Sequence, residues 1–171
     1  MSEILDIVNE NDEIIGQINR DDTHRAGHIF RMVFVGFYTP EKNIILQRRS
    51  MLKKSSPGLL TATASGHVSH GQTYNEAAVR ETLEETGVVV DEAKLRKLGV
   101  ILGDGAMRAM YAYPYDDAID ELIVEENEGD GFIETSVKAL RAESTNQPDI
   151  FAPFIRGSAA DILLDYIERA D

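Results

Sequence analysis

The stretch from Gly66 to Val88, GHVSHGQTYNEAAVRETLEETGV, contains a helix that must set three glutamates side by side, and their mutual repulsion needs an account. Thr73 and Glu76 have the spacing of a capping box that starts a helix, and Gly87 is the residue type that stops one in a left-handed turn. The cluster Arg80, Glu81, Glu84 and Glu85 then occupies the last two turns. At about 100° per residue the three carboxylates fall within an arc of about 100°, with the small Ala77 between them. Val79 and Leu83 fall on the opposite side, which predicts a helix packed on a sheet through those apolar residues while its carboxylates face a cleft. Like charges so placed repel and raise one another's pKa unless a cation is held between them. A hard divalent ion, Mg²⁺ or Mn²⁺, suits carboxylate and carbonyl oxygen, and Mg²⁺ keeps water positions that a phosphate can take.

In a chain with 30 acidic residues, such a row, taken by spacing alone, is more often a solvated helix face. The surrounding residues favour a site. Five residues separate Gly66 from Gln72 and seven separate Gln72 from Arg80, after which ETLEETGV completes the run. This arrangement resembles the Nudix box, GX5EX7REUXEEXGU, at every spacing. Gln72 stands where the family has glutamate, and Thr82 where it has a bulky aliphatic residue. The resemblance implies that Glu81, Glu84, Glu85 and the Gly66 carbonyl hold the metal and that Arg80 orients the glutamates. Gln72 would keep a hydrogen bond to Arg80 but not the charge of the usual partner.

Composition narrows the setting. A chain of 171 residues is enough for one domain burying roughly 70% of its unfolded surface, so residues 1–171 are expected to form a single domain. No apolar run approaches the roughly 20 residues of a membrane span. The N-terminal MSEILDIVNE has neither a basic region nor an apolar signal core, and a cytoplasmic location is the simplest reading. The absence of cysteine excludes disulfides, thiolate metal sites and a cysteine nucleophile. A net charge of -13 opposes nonspecific binding to nucleic acid or anionic membranes, so the expected partner is a small diphosphate met by a metal or a local basic patch. The oligomeric state is not legible, a homodimer being the commonest form among oligomers.

Read in order, Ile4 to Val8 and Glu13 to Ile18 form a hairpin, Ile29 to Thr39 and Asn43 to Leu46 two central strands, and Leu59 to Ser65 a strand leading into Gly66. His24 and His28 stand four apart and are left unassigned, and His70 is read as a turn residue. The loop QRRSMLKKSSPG concentrates Arg48, Arg49, Lys53 and Lys54, a patch able to grip phosphate. Leu95 to Leu102 and Met107 to Tyr115 read as strands, with Met107, Met110, Tyr111 and Tyr113 as core. Among Glu125, Glu126 and Glu128 in the acidic loop, Glu128 is the first candidate for a further acid beside the metal or water, a role the resemblance implies. A strand from Phe132 to Glu134, a short helix capped by Thr135, a packed turn at PDIFAPFIR and a final helix bearing Ile162, Leu163, Tyr166 and Ile167 complete the chain. Helices on both faces of a central mixed β-sheet make an α/β/α sandwich.

The resemblance implies that fold, of the Nudix type, and an activity: metal-dependent hydrolysis of a diphosphate (pyrophosphate) linkage in a nucleoside diphosphate derivative or related compound. The catalytic candidates are Arg80, Glu81, Glu84, Glu85 and Glu128, and the substrate-binding candidates Arg48, Arg49, Lys53 and His67. RRSMLKKSSPGLL is also similar to a segment of the isopentenyl-diphosphate isomerase branch. Such isomerases carry a cysteine before the Gly-His pair, where Ser65 stands here, and their box is degenerate, whereas this one keeps REXXEE. Both features speak against isomerisation, which is the lesser alternative to hydrolysis; the other is a nucleotide-sensing module that binds without cleaving.

Overall fold

The strand-forming runs join into one branching sheet whose fork positions everything else. The computed structural model describes residues 3–25, 27–125 and 127–170, so Glu126 lies outside the described residues, as do the side chains of His24 and Arg25. The first hairpin is β1 (Ile4–Val8) and β2 (Ile14–Asn19), followed by a 3₁₀ turn at Arg20–Arg25. The strand β3 (Ile29–Tyr38) is the spine, and β4 (Asn43–Arg49), β5 (Leu60–Thr61) and β6 (Ala64–His67) follow it. After helix α1 (Tyr74–Thr86) come β7 (Arg96–Gly103), β8 (Ala106–Pro114), β9 (Gly129–Ser136), α2 (Val137–Asn146) and α3 (Ser158–Arg169).

On one side β3 pairs in parallel with β8 along its length, and β8 pairs with β7. On the other side β3 is shared: Met32 to Val35 pair with β6, whereas Phe37 and Tyr38 pair with β4, which carries β5 and β9. The sheet is thus mixed and splits between β6 and β4. The run expected as one strand from Leu59 to Ser65 is broken at this split, because the chain crosses from β4 to β3. Buried Thr63 spans the gap, its hydroxyl accepting from the Phe37 N–H at 2.8 Å and donating to the Ile45 carbonyl at 2.5 Å. A threonine hydroxyl thereby supplies the pairing that no strand provides there.

Alternation along β3 assigns the two faces. Val33, Val35 and Phe37 join Val68, Ala77 and Ala78 in the core under α1, while Phe34 joins Leu140, Leu163 and Ile167 in the core under α2 and α3. This is the expected α/β/α sandwich with a central mixed sheet. The expected core residues Met107, Met110, Tyr111 and Tyr113 are buried. The second helix is capped by Ser136, whose hydroxyl accepts from the Ala139 N–H at 3.1 Å, because β9 continues through the expected cap Thr135. No helix among the described residues is long and apolar enough to cross a membrane.

One expectation for α1 is corrected. Val79 packs at the edge of the core, but Leu83 is 47% exposed, and the buried residues are Ala77, Ala78, Glu81, Thr82, Glu85 and Thr86. Small side chains let the helix sit close on the sheet, so the face that packs is the face that carries two of the carboxylates. The capping box of Thr73 and Glu76 and the left-handed Gly87, at φ 73°, are as expected.

Candidate active site

Glu85 is the deepest of the three glutamates. Its carboxylate accepts the Ser65 backbone N–H at 3.0 Å, which ties the last turn of α1 to β6. Glu81, one turn earlier, lies against the neighbouring Gly66, where an added Cβ would collide with its carboxylate. A side chain at this position would displace the Glu81 carboxylate, and Gly66 is not held there by a positive φ. Glu84 is turned outward, its side chain 48% exposed.

Arg80 organises these acids. Its guanidinium meets Glu81 at 2.8 Å and Glu84 at 2.9 Å and donates to the His67 carbonyl at 3.0 Å. Gln72 accepts from Arg80 only at 3.5 Å and from the Ser69 N–H at 3.2 Å. Because Arg80 forks between Glu81 and Glu84, three acids do not converge on one point, and no group of three metal-ligating side chains is assembled among the described residues.

Burial governs the electrostatics. It raises the Glu81 carboxyl to about 7, with the charge of Glu84 adding and Arg80 opposing. Burial likewise raises Glu85 to about 8, opposed by the Ser65 N–H and Lys53 and reinforced by Glu81 and Glu128. His67 is lowered to about 4 by burial, with the positive charges of Arg20 and Arg80 adding, so it is neutral at pH 7.

These groups line a cleft of about 510 Å³ at the fork of the sheet. Arg49, Lys53 and Glu128 also line it, together with Gly66, His67 and the α1 cluster. Arg49 is held by the Ser55 carbonyl at 3.1 Å, and Lys53 forms an ion pair with Glu128. The Glu128 carbonyl also accepts the Ser50 N–H at 3.0 Å, which pins the acidic loop to the basic one. Arg48 does not line the cleft: neighbouring strand residues point to opposite faces, and its guanidinium donates to the Gly58 carbonyl at 3.2 Å. His70 meets Asp6 at 2.7 Å, outside the cleft, as a turn residue would. Two lining cations went unread in the sequence. Arg20, paired with Glu3 at 2.7 Å, and Arg108 on β8 are single basic residues, and only the sheet brings them to the cleft.

Residues 28–150 match the family model described as the NUDIX domain. The chain belongs to the Nudix family. An uncharacterized Nudix hydrolase of Streptomyces coelicolor is 32% identical over 158 residues, covering 90% of this chain and 87% of that relative. Isopentenyl-diphosphate Delta-isomerase 2 of Photorhabdus laumondii is 28% identical over 162 residues, covering 91% and 90%. The crystal structure of DR0079 from Deinococcus radiodurans superposes with a TM-score of 0.82 at 27% identity, covering 98% of this chain and all of that one. The glutamates of this Nudix chain thus lie in a sequence matched along about nine-tenths of its length by both a hydrolase-named and an isomerase-named relative.

Proposed function

We propose that this Nudix chain hydrolyses the diphosphate linkage of a small nucleoside diphosphate derivative or related compound, using Mg²⁺ or Mn²⁺ held by Glu81, Glu84, Glu85 and the Gly66 carbonyl. The observation that carries this reading is the packing of two buried carboxylates against the β6 backbone, at a glycine whose Cβ would displace one of them. Buried acids without a cation are costly, and an all-oxygen donor set is the one a hard divalent ion takes. Holding an ion between Glu81 and Glu84 requires Arg80 to release at least one of them. When bound, the ion would neutralise the diphosphate and lower the pKa of an attacking water.

The chain's own groups perform the rest. Arg49 and Lys53 hold phosphate oxygens in the cleft. Glu128, tied to Lys53, positions that lysine. Glu81, which lies in the cleft against the Gly66 backbone, is the base in this reading. The water oxygen bonds to phosphorus as the bridging P–O bond breaks, the water proton passes to Glu81, and the leaving phosphate departs as an anion.

Two other readings have specific support. The long Arg80 to Gln72 contact favours a module that binds and does not cut. The isomerase-named relative favours isomerisation, against which stand Ser65 and a chain without cysteine. Product analysis that resolves both the phosphates and the alkene position, with Mg²⁺ and then Mn²⁺, separates the three, using nucleoside di- and triphosphates, ADP-ribose, dinucleotides and isopentenyl diphosphate. Hydrolysis reduced by at least about 100-fold in Glu84→Gln is the expected result. Metal-dependent binding with no cleavage of any compound would sink the hydrolase reading.

A further inference from the structure

Strand register fixes what lies at the far end of the cleft. Arg108 on β8 pairs with Met32 on β3, and Met32 pairs with His67 on β6, so the three side chains form one row across the sheet, on the α3 face. In the next row on that face Phe34 stands beside Ser65 and stacks on Phe154, with ring centroids 4.0 Å apart and planes within 3°. Strands lie about 4.8 Å apart, so Arg108 is two strand spacings from His67, and the carboxylates of α1 reach in from beyond β6. The cleft therefore has a carboxylate end and, across β3, an end made of Met32, Phe34, Pro153 and Phe154 with one cation.

That cation is underused. Arg108 is 12% exposed, gives one Nη2 bond to Asp104 at 2.8 Å and lies over the Phe34 ring at 6.0 Å. Its Nε is buried without a hydrogen-bond partner among the described residues, and at the other end of the row His67 Nδ1 is in the same condition. A guanidinium has five N–H donors and no acceptor, and leaving such donors unmade in the interior is costly.

We infer that the row Arg108, Met32 and His67 seats the base of a nucleoside diphosphate, with Arg108 selecting bases that carry an oxo group where adenine carries its amino group, uracil through O4 and guanine through O6, over adenine. The inference rests on the diphosphate-binding reading above and adds the substrate class. A flat ring suits the apolar floor of Met32 beside Phe34, while polar nitrogens wait at both edges of the row. The guanidinium can only donate, so its fork meets O4 of uracil or the adjacent O6 and N7 acceptors of guanine, whereas on the same edge adenine sets an amino donor beside N7. A second phosphate is the other acceptor-rich candidate, but Met32, Phe34 and Phe154 are poor neighbours for a hydrated dianion, and Arg49 and Lys53 are the cations assigned to phosphate in the reading above.

The test compares binding by calorimetry and hydrolysis of UDP, GDP and ADP by the wild type, Arg108→Gln and Arg108→Lys. The wild type should favour UDP and GDP over ADP by about 10- to 100-fold in kcat/KM and in Kd. Arg108→Gln should bring that ratio to within about threefold, chiefly through KM. Because the ratio is taken within one protein, partial loss of fold scales both terms and leaves it readable. Arg108→Lys should lose the ratio as well, since an ammonium keeps the charge but not the planar fork. A lysine variant that keeps the wild-type ratio would assign Arg108 to a phosphate and overturn the inference, as would a wild type indifferent to the base or favouring ADP. Should none of the nucleotides be cut while UDP still binds more tightly than ADP in an Arg108-dependent way, the inference stands and the hydrolase reading fails.

Discussion

Two glycines on opposite faces of the sheet do the same work for opposite purposes. Gly36 on β3 leaves room for Leu163 of α3, and Gly66 on β6 leaves room for Glu81 of α1; a Cβ at either would overlap the side chain it faces. Both let a helix side chain reach the backbone. On the α3 face the guest is apolar, and the helix buries Ala159, Ala160, Leu163, Leu164 and Ile167. On the α1 face the guest is a carboxylate, and the buried set contains two glutamates and two threonines. One interface lowers the free energy of folding by removing hydrocarbon from water. The other gives up part of that gain to keep ionisable oxygens dry beside the cleft, the pattern expected of a functional site.

The sharpest way to break this comparison is to truncate the apolar guest on one face and neutralise the deepest carboxylate of the other. Leu163→Ala, at a fully buried position, should cost about 2–5 kcal/mol in denaturant unfolding and leave turnover per folded molecule ordinary. Glu85→Gln should do the reverse. The amide oxygen can still accept the Ser65 N–H, so the fold should hold or gain stability above pH 8, while turnover falls by about 100-fold or more. If Glu85→Gln unfolds the protein and leaves the residual folded fraction fully active, the α1 face is structural and the contrast collapses.

The same contrast explains what could be read from the sequence. The start and stop of α1 were legible because Thr73, Glu76 and Gly87 act within one turn of the backbone they serve. The final helix was legible because its buried stripe is apolar. Leu83 was misread for the complementary reason: apolar periodicity finds the face that hides hydrocarbon, whereas α1 packs through Ala77, Ala78 and Thr82 and turns its leucine to solvent. The box supplied the three glutamates, Arg80 and Gly66, since their spacing is local. The split strand, closed by Thr63, and the cations Arg20 and Arg108 depend on pairings between distant segments, and isolated basic residues carry no local signal of them. Arg48 was expected beside Arg49 because both lie in one basic loop, but one residue along a strand is the difference between two faces.

A smaller effect distinguishes the faces by pH. Glu81 and Glu85 have folded pKa values of about 7 and about 8, above the ordinary carboxyl value of 4.5. Raised values mean that the folded state holds their protons more tightly than the unfolded state, so their contribution to stability is complete below about 4.5 and is lost as pH rises through 7 and 8. A tenfold difference in proton affinity between the two states corresponds to about 1.4 kcal/mol, which sets a scale of a few kcal/mol for the pair. Without divalent ions, the thermal midpoint should therefore fall between pH 5 and pH 9, and Glu85→Gln should flatten the fall. Added Mg²⁺ or Mn²⁺ should raise the midpoint more at pH 8.5 than at pH 5.5, because the ion competes with the protons for the same oxygens. A midpoint that climbs with pH in the absence of metal would contradict the burial of these two acids.

The smallest effect expected concerns Gln72. Its amide oxygen lies 3.5 Å from Arg80, too far for a strong bond, and is shared with the Ser69 N–H. A carboxylate in the same place would form a charge-assisted pair with Arg80 and draw the guanidinium toward the 66–72 loop. Glu81 and Glu84 would then be freer to receive a cation, since Arg80 now divides its donors between them. Gln72→Glu should accordingly lower the Mn²⁺ concentration needed for half-maximal activity by about two- to fivefold, an effect of about 0.5–1 kcal/mol, the size of a partly exposed ion pair. Stability at pH 7 should change by less than about 1 kcal/mol. The reverse outcome is equally informative: weaker metal dependence in Gln72→Glu would mean that the added charge repels the other carboxylates more than it restrains Arg80, and that glutamine is the better neighbour for this α1 face.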